Sequence, residues 1–378
     1  MKPYVRPIFQ RAVLAALALI PHVFLFAMPT SHLIFLGTYT RNGSKGIYTV
    51  RLDDATGALT PPNLAAEANN APWITFSPDK KYLYAVSETA SQAIGFAVDA
   101  QNAKLTPLPA TPSPAARPPS HLAVDATGRT LLAANYAEGY VESLPIRPDG
   151  TLGAPVKIQH TGKSVNHDRQ SQPHVHSVTP SPDNRFVIVC DLGLDKIFSY
   201  ALDPAAAKLS PAKTPFVVAA PGAGPRHFKF GTDGKHGYAI NEMANTVAVY
   251  DYAASTGMLS LRQTLPTLPA DFKGENTCAE VRVHPNGKFL YGSNRGHDSL
   301  AVFGIDAHTG MLTPVEITPS GGKVPRNFAL SADGKWLVCA HQDSNNLVVF
   351  RIDPATGRLT RTAHEAVVPA CVCVLFYD

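Results

Sequence analysis

Hydrophobic residues in this chain gather in short runs separated by polar turns, and no segment holds a 3.6-residue period. One turn recurs seven times and always ends in leucine: DATGAL, DAQNAKL, RPDGTL, DPAAAKL, ASTGML, DAHTGML and DPATGRL. The copies close at Leu59, Leu105, Leu152, Leu209, Leu259, Leu312 and Leu359, at intervals of 46, 47, 57, 50, 53 and 47 residues. Asp53, Asp99, Asp203, Asp306 and Asp353 each stand six residues before their leucine. Aspartate, asparagine and glycine in such turns bond the local backbone and allow positive φ, so each copy predicts a hairpin. A second turn runs in phase with the first: SPDKK, DATGR, SPDNR, TDGK, HPNGK and SADGK. Each leads into a hydrophobic strand such as YLYAV or FVIVC. The first unit lacks this second turn but keeps its strand, as LIFLG.

Each unit therefore carries about four strands in roughly 50 residues. Repeated seven times, that is the arithmetic of a propeller, in which each blade buries its faces against two neighbours. The predicted fold is all-β: a seven-bladed β-propeller of four-stranded blades. A ring must close, and the run Val372–Phe376 lies beyond the last turn. It is expected to pair into the first blade, so that the N- and C-terminal strands close the ring together.

The first 27 residues break the pattern. Lys2, Arg6 and Arg11 precede an apolar run from Ala12 to Ala27, broken only by Pro21 and His22. This reads as a signal peptide over 1–27, or alternatively an uncleaved N-terminal anchor, short for a membrane span, with the propeller over 28–378 as one domain. The expectation is a periplasmic or secreted protein with no stable membrane insertion after cleavage; a cytoplasmic protein is the alternative. Loss of the leader would take the net charge from +4 to +1. So small an excess argues against a nucleic-acid partner, which usually demands a strong basic patch. Cys190, Cys278, Cys339, Cys371 and Cys373 are odd in number and form no C-x-x-C, so neither a disulfide framework nor a zinc site is indicated. They read as small core residues.

Chemistry emerges on counting from the Lys or Arg that follows each second turn. Nine residues before it stand Pro72, Ser120, His176, Arg226, Ala279 and Arg326; eight before stand Trp73, His121, Ser177, His227, Glu280 and Asn327. Seven after it stand Glu88, Tyr136, Leu192, Glu242, Arg295 and Gln342. In a propeller these positions meet at one mouth of the central channel. Charged side chains converging there are costly unless they pair or meet a charged ligand. Arginine forks suit a carboxylate or phosphate, and a carboxylate or neutral histidine can activate water. His174 and His176, one residue apart on a strand, could also share a metal, but no third ligand with suitable spacing is identifiable. No metal or cofactor is assigned. His160 and His167 fall in a polar, glycine-containing loop and read as solvated. There is no G-x-S-x-G elbow and no phosphate-binding glycine loop, so covalent serine catalysis and nucleotide binding have no support.

At these residues the chain resembles the propeller-type lactonase family, which includes 6-phosphogluconolactonase and carboxymuconate-lactonising enzyme. The likeness runs from about Leu33 to Phe376. It is carried by GTYT (Gly37–Thr40), PHVHS (Pro173–Ser177), GAGPRHF (Gly222–Phe228), Asn241–Glu242, CAEVRVHPNGKFLYGSNRGHDS (Cys278–Ser299) and VPRNFAL (Val324–Leu330). The resemblance implies a catalytic set of His176 (or His174), Arg226, Glu242 and Arg295; Glu242 is preferred over His176 as the base, because a carboxylate beside Arg226 is held in place as well as charged. His174, His227, Glu280, His297 and Arg326 are the expected substrate contacts. The implied activity is hydrolysis of a small anionic lactone, 6-phosphogluconolactone or a related aldonolactone. A cycloisomerase, or a non-catalytic propeller binding a ligand or protein, are the alternatives, since fold alone does not dictate function. An export signal is at odds with a phosphorylated substrate made in the cytoplasm.

Overall fold

Alternating short strands and tight turns build seven four-stranded antiparallel sheets, seen in a computed structural model that describes residues 1, 3–4, 31–87, 92–109 and 117–378. Blades are numbered from the N-terminus. Blades 2 to 7 are each made from consecutive strands, and their innermost strands are Ile74–Phe76, His121–Val124, Val175–Pro180, Pro225–Phe230, Thr277–Val283 and Pro325–Leu330. Blade 1 is the exception. Its innermost strand is the C-terminal Cys371–Phe376, paired with Ser31–Thr38 in a register that matches Ile34 to Phe376 and Gly37 to Cys373. The expected closure is what the structure has. The leader over 1–27 and the ring position Glu88 lie outside the described residues.

Apolar side chains fill the spaces between blades rather than one common centre. Val187 and Val189 of blade 4 pack with Leu132 and Val141 of blade 3, and Trp336 and Val338 of blade 7 pack with Ile34 and Val50 of blade 1. The leucine turn locks neighbouring blades. Gly257 has φ 73°, and a Cβ there would lie 2.4 Å from the Phe186 ring of blade 4; Gly357 stands in the same relation to Phe289 of blade 6. Both the left-handed backbone and the close approach call for glycine. All five cysteines are buried and unpaired, as small core residues should be.

One buried acid opposes this packing. Glu142 sits mid-strand in blade 3, 2% exposed, and its Oε2 has no partner. Burial raises its carboxyl to about 7, with Lys157 opposing the shift and Glu138 adding to it. The folded pKa thus lies above the unfolded value near 4.5, so the native state holds the proton more tightly. Stability from this group is complete below pH 4.5 and is lost as pH rises towards 7. Glu142→Gln is expected to stabilise the protein at pH 8 by up to ~3 kcal/mol and to change it far less at pH 5, as read by denaturant titration at both pH values.

Candidate active site

The innermost strand of most blades starts with a β-bulge, and the bulges shape the site. In blade 4, Val175 pairs with Asp191 and Ser177 with Cys190, leaving His176 as the extra residue. Arg226 is the extra residue in blade 5, Arg326 in blade 7 and Val372 in blade 1. A bulge re-aims a side chain that regular alternation would send elsewhere. All four of these residues line a cavity of about 780 Å³ at the channel mouth. Pro72, Trp73, Ser120, Tyr136, His227, Glu242 and Arg295 join them, as the counting from the second turn anticipates.

Glu242 is the hub. Its Oε2 accepts from Arg226 Nε at 3.0 Å and lies 3.0 Å from Arg295 Nη2, while its Oε1 accepts from Arg169 Nη2 at 2.7 Å. Burial on its own would raise this carboxyl, but Arg295 and Arg226, with the hydrogen bond from Arg169, hold it well below the usual carboxylate range. So strongly stabilised an anion is a weak base, with both oxygens already engaged. The carboxylate pairs with three guanidinium groups, which argues for His176 over Glu242 as the base.

His176 is placed differently. It is 6% exposed, sits edge-on to Tyr136 and packs against His227, and its Nδ1 is buried without a partner. Burial, then Arg226 and His227, push its pKa well below 6.5, so the ring is neutral at neutral pH. Its Nε2 makes no hydrogen bond among the described residues. A neutral imidazole with an uncommitted nitrogen beside a cluster of cations can accept a proton from water.

Among the described residues, five arginines line the cavity, Arg117, Arg169, Arg226, Arg295 and Arg326, against the single carboxylate of Glu242. Arg326 faces the ring of Tyr39 at 5.8 Å and has no acidic partner among the described residues. The excess of positive charge suits an anion.

Three expected substrate contacts lie outside the lining. His174 stacks on Tyr136 and donates from Nδ1 to the Tyr136 carbonyl, which commits it to supporting the loop. His297 bonds Ser299 Oγ and meets Phe272 edge-on. Glu280 is closed off behind His227. His160 is likewise not solvated: it is buried, with Nδ1 on Asp191 and Nε2 on the Tyr200 hydroxyl, whereas His167 is exposed. Among the described residues, the one cluster with metal-ligand spacing is His32, Asp54 and Asp333, remote from this mouth and threaded by Lys335.

Counting missed Arg169, because it lies on no strand of the repeat. It belongs to the segment 160–174 between blades 3 and 4, which is held by Gln170 Nε2 donating to the Leu192 carbonyl and Asp195, and by Ser164 donating to Asp195. The signal was the 57-residue interval, the longest of the six, since insertions in a repeat map to loops on one face.

A family model described as Lactonase, 7-bladed beta-propeller, matches residues 33–376. The chain belongs to that lactonase family. It is 35% identical over 306 residues to a 6-phosphogluconolactonase from Bacillus subtilis, covering 79% of this chain and 85% of the relative. A 6-phosphogluconolactonase from Formosa agariphila is 32% identical over 311 residues, covering 79% of this chain and 86% of the relative. Among solved structures, a periplasmic gluconolactonase from Pseudomonas aeruginosa is 32% identical and superposes with a TM-score of 0.85, covering 92% of this chain and 99% of that one. The lactonase propeller thus presents its cationic mouth where its strands converge.

Proposed function

We propose that the protein is a hydrolase of anionic sugar lactones, with 6-phosphogluconolactone or a closely related aldonolactone as substrate. The observation that carries this reading is the neutral His176 beside a mouth whose described residues include five arginines and one carboxylate, in a lactonase-family propeller. In the reaction, His176 takes a proton as water adds to the lactone carbonyl. Arg226 and Arg295 stabilise the oxyanion that forms. Collapse breaks the bond between the acyl carbon and the ring oxygen, and His176 returns its proton to that oxygen. The net change is one water consumed and one hydroxy acid formed.

Arg226 and Arg295 are tied to Glu242, so the substrate's own anionic group falls to Arg326, which has no acidic partner among the described residues. Arg326→Gln is expected to raise KM for 6-phosphogluconolactone by ~10–100-fold, the value of one charge-assisted contact, with little change in kcat. The same variant should leave KM for unphosphorylated δ-gluconolactone nearly unchanged.

Export over residues 1–27 is part of the same proposal, and it sets an unphosphorylated aldonolactone, as in the name of the periplasmic Pseudomonas gluconolactonase, against the phosphorylated one that the cationic mouth favours. Purified protein incubated with δ-gluconolactone and with its 6-phosphate decides between them by acid release. Hydrolysis of both marks a broad lactonase, hydrolysis of one names the substrate, and hydrolysis of neither ends the proposal.

A further inference from the structure

We propose that Glu280 and His227 are positioning residues that aim Arg226 at the lactone carbonyl; the catalytic part of this inference rests on the hydrolase reading above. The chain of contacts starts from a fully buried carboxylate. Glu280 accepts from Val281 N at 3.1 Å and from Asn327 Nδ2 at 2.5 Å, and Arg282 Nη2 lies 3.5 Å away. Asn327 is itself fixed, because its Oδ1 accepts from Val374 N of the ring-closing C-terminal strand. Glu280 Oε1 stands 3.2 Å from His227 Nδ1.

A carboxylate accepts, so the proton of His227 belongs on Nδ1, which leaves the lone pair on Nε2. That nitrogen is 3.0 Å from Arg226 Nη1. Guanidinium nitrogens only donate, so the opposite tautomer or an imidazolium would set N–H against N–H. Burial, with Arg226 and Lys229 nearby, pushes the His227 pKa well below 6.5 and keeps the ring neutral.

Arg226 is then held on two sides. Its Nε donates to Glu242, and its Nη1 meets both His227 and the Ala279 carbonyl at 2.6 Å. Among the described residues, only Nη2 of this guanidinium has no partner. Because the guanidinium is planar and rigid, two anchored nitrogens determine the direction of the third. Glu280 therefore acts at a distance: it sets the tautomer that sets the acceptor that orients the oxyanion donor. The buried histidine spans the gap between a carboxylate and a cation, a task that neither a second acid nor a second base could perform.

The test compares His227→Gln with His227→Phe. Glutamine can offer its carbonyl to Arg226 and its amide to Glu280, whereas phenylalanine keeps the ring's bulk and offers neither. The expected result is a kcat loss of ~10–100-fold for the Phe variant with KM nearly unchanged, largely recovered by the Gln variant. Adding His227→Phe to Arg226→Lys should cost little more, while adding it to Arg295→Lys should multiply the two losses. Equal losses in the Gln and Phe variants, or multiplication with Arg226→Lys, would overturn the proposal. An independent readout is nitrogen NMR of the wild-type histidines, where His227 is expected as the neutral Nδ1–H tautomer, becoming a mixture in Glu280→Gln. Finding Nε2–H or imidazolium in the wild type overturns the proposal whatever the kinetics show. If the wild type hydrolyses neither lactone, the hydrolase reading falls and the NMR experiment alone decides how Arg226 is held.

Discussion

His176→Ala is expected to lower lactone turnover by ~10²–10⁴-fold, the range typical of losing a general base. The protein should remain folded, because the His176 imidazole makes no hydrogen bond within the described residues, while the bond from Ser120 Oγ goes to the His176 main-chain carbonyl, which alanine keeps. Substrate binding should persist, since the arginines of the mouth are untouched. Wild-type turnover should fall on the acid side only well below pH 6.5, where the depressed His176 finally protonates; above that the base stays competent. Glu242→Ala makes the contrast. It strands Arg226, 3% exposed, and Arg295 without their carboxylate. Removing one member of a buried ion cluster typically costs ~3–5 kcal/mol, so this variant should melt well below the wild type and bind substrate poorly. Turnover and melting temperature measured on the same preparations separate the two roles. Wild-type turnover in His176→Ala would remove it as the base.

Deleting residues 372–378 is expected to abolish the folded monomer. Val372, Cys373 and Val374 are each 2% exposed or less, and the strand forms the inner edge of blade 1. Burying each aliphatic side chain is worth ~1.5–3 kcal/mol, and the ladder to Ser31–Thr38 is lost with them. The total is comparable with the ~5–15 kcal/mol of an entire domain. The exposed edge of blade 1 would also invite strand pairing between molecules. Size-exclusion chromatography should show aggregate or no soluble protein. Truncation of Asp378 alone is a milder change. It removes the 2.7 Å contact from His32 Nδ1 but leaves the strand intact, so a folded, less stable ring is expected. A monomeric truncation at 372 with wild-type melting would show that the ring does not need its closing strand.

Much of the molecule was legible in the sequence because a propeller repeats a local code. Seven leucine turns and their partner turns are satisfied within a few residues, as when Asp53 Oδ1 accepts from Ala55 N and Thr56 N. Local chemistry of that kind needs no knowledge of distant contacts. It dictated the blade count, the strand phase and the closing role of Val372–Phe376. Phase also predicted that His176, Arg226, Glu242, Arg295 and Arg326 would share one mouth, since every blade repeats the same geometry about the axis.

Contacts within that mouth are visible only in the tertiary structure. A position in the repeat says where a side chain enters, but not how many partners its atoms find. Glu242 reads as a base until three arginines from three places in the chain occupy its oxygens, and one of them, Arg169, comes from an insertion outside the repeat. Glu280 shares a column with Trp73 and His227, yet it is sealed beneath the cavity, because in its blade two residues, Ala279 and Glu280, stand against Ser293. His160, in a polar loop, becomes buried because Asp191 and Tyr200 take both of its nitrogens. Burial and charge pairing are sums over neighbours brought together by ring closure, and those sums decide which group holds a proton and which holds its neighbours in place.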